Sequence, residues 1–228
     1  MGSKLSRNNL TDEIYQIVKE DILSHRFAAG EKINIDQLAR DLEVSNIPIR
    51  EALSRLQSEG YLHTVPFKGM FVNQMTVQEL NEIYEIRLYL EPQAVKKAAL
   101  NIPDSKLEWL HETMASLNSD QSSRENPGLE AIKKMNASIH GVILEYCDNA
   151  NLKNLIKNYI EQIQRYLTFI KLNLDVDNTN AEWSEHNAIL QKLLLRDSGG
   201  AAEAMADHIK KSHERNKMHF ASMSSGKN

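Results

Sequence analysis

Cysteine is almost absent from this chain: Cys147 is the only one in 228 residues. A single cysteine excludes an internal disulfide and a cysteine-based zinc site. Nine glycines and five prolines leave few places for tight turns, which points to a chain dominated by helix. No apolar run approaches the roughly 18 residues that a membrane span requires. The opening stretch MGSKLSRNNLTDE has no apolar signal-peptide core. The expectation is a soluble cytoplasmic protein, associated with the nucleoid and with no membrane partner. Strong charge is lacking too. The net charge is −4, and residues 1–74 hold nine Lys and Arg against ten Asp and Glu. That balance argues against a chain coated in nucleic acid. It leaves room for a small DNA-reading module whose basic groups are placed locally. What remains is an ordinary folded composition, 41% hydrophobic and 25% charged, at a length that suits two domains.

The first domain spans residues 8–74. Thr11 precedes Asp12 and Glu13, which reads as an N-cap with first-turn acids. Ile14, Ile17, Val18 and Ile22 follow at helical spacing, to about Phe27. A second helix reads from Asn34 through Leu42. After a turn at Val44-Ser45, a third runs from about Ile47 to Glu59 and ends at Gly60. Residues 61–65, 66–69 and 70–72 then read as strand, turn and strand. Three helices and a hairpin, with a short turn between the second and third helices, make a winged helix-turn-helix.

In such a module the N-terminal end of the second helix of the pair meets base edges in the major groove. Here that end is Ser45-Asn46-Ile47-Pro48-Ile49-Arg50. Ser45 can cap the helix while its N–H faces a phosphate. Asn46 can pair with adenine, and Arg50 can fork onto guanine or a phosphate. Arg55 lies further along, towards a backbone phosphate or solvent. Lys68 and Gly69 at the wing tip suit a minor-groove or phosphate contact.

The second domain, residues 76–221, reads as all helix. Thr76-Val77-Gln78-Glu79 is a capping box, and the helix behind it runs to about Ala99, with a kink expected at Pro92. The next helix opens at Pro103-Asp104 and runs to about Leu117. Residues 119–128 read as a loop. Helices follow near 129–148, 151–172 and 180–196. Ser198-Gly199-Gly200 reads as a break before a last helix, 201–220, and the tail ASMSSGKN as disordered. The fold class is thus mainly α: an N-terminal winged helix-turn-helix and a C-terminal antiparallel six-helix bundle.

Six of the eight histidines lie in that second domain. Asn136 and His140 are four residues apart and share a helix face, while His186 and His208 sit on two other helices. Imidazoles converging from several helices make a natural divalent-metal site, although spacing alone carries little weight. Arg87 sits amid apolar residues on the domain's first helix, where a buried charge needs a partner. A carboxylate ligand or an ion pair with Glu91, four residues on, would each supply one. Arg165 is a second cation candidate, with a solvated face as its alternative. Tyr84 can offer a hydroxyl or simply pack in the core.

The stretches FAAGE (27–31), VSNIPIREAL (44–53) and KGMFV (68–72) resemble the GntR family of bacterial transcription regulators. Most members read Ser-Arg-Thr-Pro-Val-Arg-Glu-Ala-Leu across the recognition helix. This sequence departs at Asn46 and Ile47, so one basic fork is missing and the usual operator preference is not implied. Residues 83–91, IYEIRLYLE, resemble the opening of the FCD ligand-binding domain of the FadR branch, in its six-helix, VanR-like form. The resemblance implies a homodimer bound to palindromic double-stranded operator DNA, and a regulator rather than an enzyme. It also implies a metal in an effector pocket. Family members often ligate it with Asp-x-x-x-His on one helix and two further histidines, positions matched here by Asn136, His140, His186 and His208. Zinc is the first candidate metal, with nickel and manganese also open. Four neutral ligands would leave the ion its full positive charge, which favours a small organic-acid effector held with Arg87, Arg165 and Tyr84. The expected function is a repressor responsive to such an acid. A metal-sensing regulator and a metal-dependent enzyme are the alternatives.

Arg50→Ala is expected to abolish sequence-specific DNA binding while leaving the circular dichroism spectrum unchanged. Wild-type binding in a gel shift would contradict that role.

Overall fold

The computed structural model describes residues 7–122, 128–169 and 176–225. These residues form nine helices and one two-stranded sheet, and the chain divides into two compact units, Met1–Met75 and Thr76–Asn228. The expected fold class is what is found: a winged helix-turn-helix followed by a six-helix domain.

In the first unit, α1 (Arg7–Leu23), α2 (Ile35–Asp41) and α3 (Asn46–Ser58) precede an antiparallel hairpin of β1 (Leu62–Val65) and β2 (Gly69–Val72). Leu62 pairs with Val72 and Val65 with Gly69. The core joins Ile14, Val18 and Ile22 of α1 to Ile49, Ala52, Leu53 and Leu56 of α3, with Tyr61, Leu62 and Val72 closing it from the hairpin. The α1 helix starts ahead of the expected cap. Thr11 lies inside it, and its hydroxyl donates to Glu51 across the unit at 3.1 Å. Asn34 does cap α2, accepting from the Gln37 amide at 3.0 Å. Ser45 holds the N-cap position of α3, but its side chain makes no capping hydrogen bond. Pro48 falls in the first turn of α3, where its missing N–H costs no intrahelical bond. Between α2 and α3 the chain reverses at Glu43, which takes φ +54°.

In the second unit the helices are α4 (Val77–Asn101), α5 (Asp104–Ser122), α6 (Gly128–Tyr146), α7 (Ala150–Phe169), α8 (Val176–Leu194) and α9 (Ser198–Ser225). Thr76 caps α4 by accepting from the Glu79 amide at 3.0 Å. Glu79 does not return the bond to Thr76. The Tyr166 hydroxyl accepts from the Thr76 N–H at 3.2 Å and donates to the Glu79 carboxylate. Pro92 sits inside α4, and the helix continues through it to Asn101.

Several boundaries in this unit differ from expectation, and α8 opens at Val176 rather than near residue 180. The α5 helix extends to Ser122, four residues into the expected loop, whose residues 123–127 lie outside the described set. The break between α8 and α9 falls earlier than Ser198-Gly199-Gly200. Arg196 takes φ +55° there, and its guanidinium donates to the carbonyls of Ala99 and Ile102 at the end of α4, at 3.1 and 2.5 Å. Asp197 then accepts from the Gly200 amide at 2.8 Å, and a Cβ at Gly200 would lie 2.2 Å from that carboxylate. The glycine therefore opens α9 rather than breaking it. The tail is helical as far as Ser225. No helix among the described residues is long and apolar enough to cross a membrane.

Leu53 is fully buried between α1 and α3. Leu53→Ala removes its packing and leaves a cavity, with an expected loss of about 2–5 kcal/mol in urea unfolding. A wild-type midpoint would contradict the described core.

Candidate functional site

The first unit presents the residues expected to face DNA. Arg50 is exposed on α3, and Lys68 and Gly69 are exposed at the wing tip, where Gly69 takes φ +110°. Beside them Phe67 is fully exposed at φ +62°. Pro48 is buried against the core. Asn46 is half-buried, and its amide nitrogen donates to Asp36 Oδ1 of α2 at 2.9 Å. Arg55 is turned back on its own unit. It lies 3.0 Å from Asp12 and 3.3 Å from Glu59, stacked over the Tyr15 ring at 3.9 Å.

In the second unit His140 of α6, His186 of α8 and His208 of α9 are all buried and meet in one cluster. Their ring centroids are 4.3–5.4 Å apart. One ring nitrogen of each lies within 4.8 Å of those offered by the others. Helical spacing explains the convergence: each histidine lies on its helix's inward stripe, beside Ile139 and Ile143, Ile189 and Leu190, and Met205 and Ile209.

Each imidazole has an oxygen at Nδ1. His186 Nδ1 is 2.7 Å from the Glu182 carbonyl, one turn back on α8. His208 Nδ1 is 3.0 Å from Glu185 Oε2. His140 Nδ1 is 2.7 Å from Glu91 Oε2 of α4. Oxygens of these kinds only accept, so they favour the proton on Nδ1 of each ring. The Nε2 atoms of His140 and His186 lie 3.3 Å apart, a hydrogen bond in which one ring donates unless an ion takes both lone pairs. Two ligands at 2.0–2.1 Å from one tetrahedral ion sit about 3.4 Å apart. The donor set therefore fits a divalent metal held by three histidines, and the carboxylates and carbonyl behind them match the outer partners that metal-binding histidines need.

The electrostatics agree. Burial pushes the His140 ring below its usual range, against the pull of Glu91. Burial, with the neighbouring His208 and His140, holds His186 well below it. Both rings are thus neutral near pH 7, the form a metal ligand requires. Burial alone would raise Glu91, but Arg87 and His140 outweigh it and hold the carboxyl down to about 2. Since His140 is neutral, Arg87 is the cation that keeps Glu91 ionised, at 2.5 Å. The expected alternative for Arg87, an ion pair one turn along its own helix, is what the structure shows.

Arg87 also faces a small cavity, together with Asn136, Gln164, Glu182 and Ser212 and the aliphatic walls of Ile160 and Ile163. Asn136 and Glu182 lie one turn before His140 and His186, so the cavity adjoins the histidine cluster. Tyr84 stands behind it. Its hydroxyl accepts from Asn216 at 2.6 Å and meets Ser212 Oγ at 3.0 Å, and its ring stacks on His213. Arg165 is buried on α7 but does not line this cavity, whereas its neighbour Gln164 does.

Sequence reasoning missed the acidic supports. Glu185 neighbours His186 in sequence, which sets its side chain about 100° round the helix from that ring. It does point away from His186, and reaches His208 on the next helix instead. Arg215 spans Glu182 and Glu185 at 2.6 Å each. The only signal was the crowding of Glu182, Glu185 and Arg215 around the histidines at helical spacing.

Comparison with known proteins places the chain. Residues 10–72 match the family described as bacterial regulatory proteins, gntR family, and residues 82–211 match the FCD domain. The Nta operon transcriptional regulator of Aminobacter aminovorans is 30% identical over 189 residues, covering 83% of this chain and 86% of that protein. The HTH-type transcriptional repressor GlaR of Escherichia coli (strain K12) is 26% identical over 202 residues, covering 86% and 90%. The solved structure of E. coli McbR/YncC shares the fold, with a TM-score of 0.73 over 95% of this chain and 98% of that one, at 23% identity. The chain belongs to the GntR family of bacterial transcriptional regulators and carries an FCD domain. It is a DNA-binding regulator and not an enzyme.

Arg215→Met leaves the Glu182 and Glu185 carboxylates without their shared cation. Glu182 is buried and Arg215 and Glu185 are half-buried, so the loss should fall between the ~1 kcal/mol of an exposed pair and the ~3–5 kcal/mol of a fully buried one, measurable as a lowered urea midpoint; an unchanged midpoint would show that the cluster contributes nothing to stability.

Proposed function

We propose that this regulator is a repressor that binds a palindromic operator as a homodimer and is released by a small carboxylate effector held at a metal-containing pocket. The observation that carries the reading is the convergence of three buried imidazoles, each with an oxygen at Nδ1, beside a cavity that presents Arg87. In this reading His140, His186 and His208 hold a divalent ion, zinc first, with nickel and manganese as alternatives. FCD domains are often metal-associated. Asn136, at the position where the family often has aspartate, lines the adjoining cavity as a neutral oxygen donor. The ion supplies positive charge and an open coordination position. Arg87 adds a guanidinium, already shared with Glu91, that can accept a second carboxylate. Gln164 and Ser212 offer polar contacts beside it. Arg165 and Tyr84 support this pocket from behind.

The DNA-reading set is Asn46 and Arg50 on α3, with Ser45 at the helix start and Lys68 and Gly69 on the wing. Pro48 shapes the first turn rather than touching DNA, and Arg55 packs its own unit. The naming of GlaR as a repressor supports the sign of the response. The protein would act in the cytoplasm, where the operator is.

His140→Ala with His186→Ala is expected to remove the metal, read by plasma emission on protein purified without chelator. Unchanged stoichiometry would move the site elsewhere. For the whole reading, operator binding is measured by fluorescence anisotropy with a panel of small mono- and dicarboxylates, before and after chelation. At least one acid should weaken binding by roughly 5–150-fold, as a coupling of 1–3 kcal/mol produces, and chelation should abolish that response. Metal alone shifting affinity in the absence of any acid would instead favour a metal sensor. DNase protection should be two-fold symmetric, and protection of a single half-site would contradict the dimer.

A further inference from the structure

We infer that Asp36 is a specificity-determining residue: it fixes the Asn46 amide so that the recognition helix reads adenine. This rests on the proposed reading of DNA by α3.

Asn46 is the first residue of α3, and Asp36 lies in the first turn of α2. They are ten residues apart in sequence and joined at 2.9 Å across the helix-turn-helix. An ionised carboxylate has no proton to donate, so the atom facing Asp36 must be the amide nitrogen. The usual ambiguity in which way an asparagine amide points is therefore removed by its partner. Asp36 takes one of the two amide hydrogens. The other hydrogen and Oδ1 remain as one donor and one acceptor.

That pair has a specific complement. In the major groove adenine offers an acceptor at N7 and a donor at N6, which a side-chain amide meets with both atoms at once. Guanine offers two acceptors, N7 and O6, and would leave Oδ1 facing an acceptor. A free asparagine could flip or rotate to adapt, and the discrimination would weaken. Pinned by Asp36, it cannot flip without setting two oxygens against each other. The same carboxylate also places a negative charge beside the DNA face, where it serves no phosphate contact.

The experiment is sequence selection from a random duplex library with the full-length protein, comparing wild type, Asn46→Ala, Asp36→Ala and Asp36→Asn. Wild type should enrich adenine at one column per half-site, and Asn46→Ala should flatten that column. Asp36→Ala should reduce the adenine preference there about tenfold, a shift of roughly 1.4 kcal/mol in base discrimination. Asp36→Asn should retain it, because its amide oxygen still accepts from Asn46. Both Asp36 variants lose the same charge, so both should bind random DNA more tightly and by similar factors. Three outcomes would overturn the inference: Asp36→Ala keeps the wild-type column, Asp36→Asn loses as much as Asp36→Ala, or Asn46→Ala changes no column. A wild-type protein that enriches no sequence would overturn the DNA-reading proposal itself, and this inference with it.

Discussion

Three imidazoles buried in mutual contact impose the main constraint on the second unit. His140 and His186 face each other through Nε2 at 3.3 Å, and a buried imidazole needs a polar partner. The chain meets that requirement from three directions: Glu91 from α4, the Glu182 carbonyl from α8, and Glu185 across to α9. Each support needs its own countercharge. Arg87 supplies one for Glu91, and Arg215 supplies one for Glu182 and Glu185. Four helices are thereby tied to one polar centre inside an otherwise apolar core. The arrangement explains why two arginines and three glutamates are drawn to positions that charged residues rarely occupy.

The same network bears on how a small acid could be sensed. Arg87 is shared between Glu91 and the cavity, so a carboxylate arriving there competes for a guanidinium that also holds His140's partner ionised. In the proposed reading, ligand binding and the histidine centre are therefore linked through one ion pair. Linkage then requires only that the two forms of the regulator differ in affinity for the acid. In the first unit the logic is similar on a smaller scale. Asp36 limits the freedom of Asn46, and in the proposed reading that gives direction to the amide that meets the base.

Helical periodicity made most of the fold legible in the sequence. Ile14, Val18 and Ile22 announced the core of the first unit, although Ile17, read on the same stripe, is exposed, and the gaps between apolar stripes located six later helices. The failures have physical causes. Thr11 looked like a cap because it precedes two acids, but helix formation starts earlier and its hydroxyl has a partner in Glu51. The polar residues 119–122 carry no apolar signal, yet they extend α5. Gly199 and Gly200 looked like a break because glycine is a poor helix former. The reversal is instead made by Arg196, whose left-handed backbone is stabilised by the carbonyls its side chain captures. At the site, the three histidines were visible as a set only through family resemblance, because 46 and 22 residues separate them. Their supports showed only as charged residues near the histidines in sequence, with no sign of which served which ring. Glu185 serves a histidine on another helix, and Asp36 serves an asparagine ten residues away. Neither pairing leaves a trace in local spacing.

The central claim is that the histidine centre holds a metal and that the metal and Arg87 together hold an acid. A native mass spectrum of freshly purified, tag-free protein tests it directly, because one spectrum reports subunit number, metal and any small molecule retained. The account predicts a dimer with one divalent metal per chain and a further mass matching a small organic acid, lost together with the metal on chelation. A dimer that carries neither, and takes up neither when zinc and candidate acids are added, would contradict it.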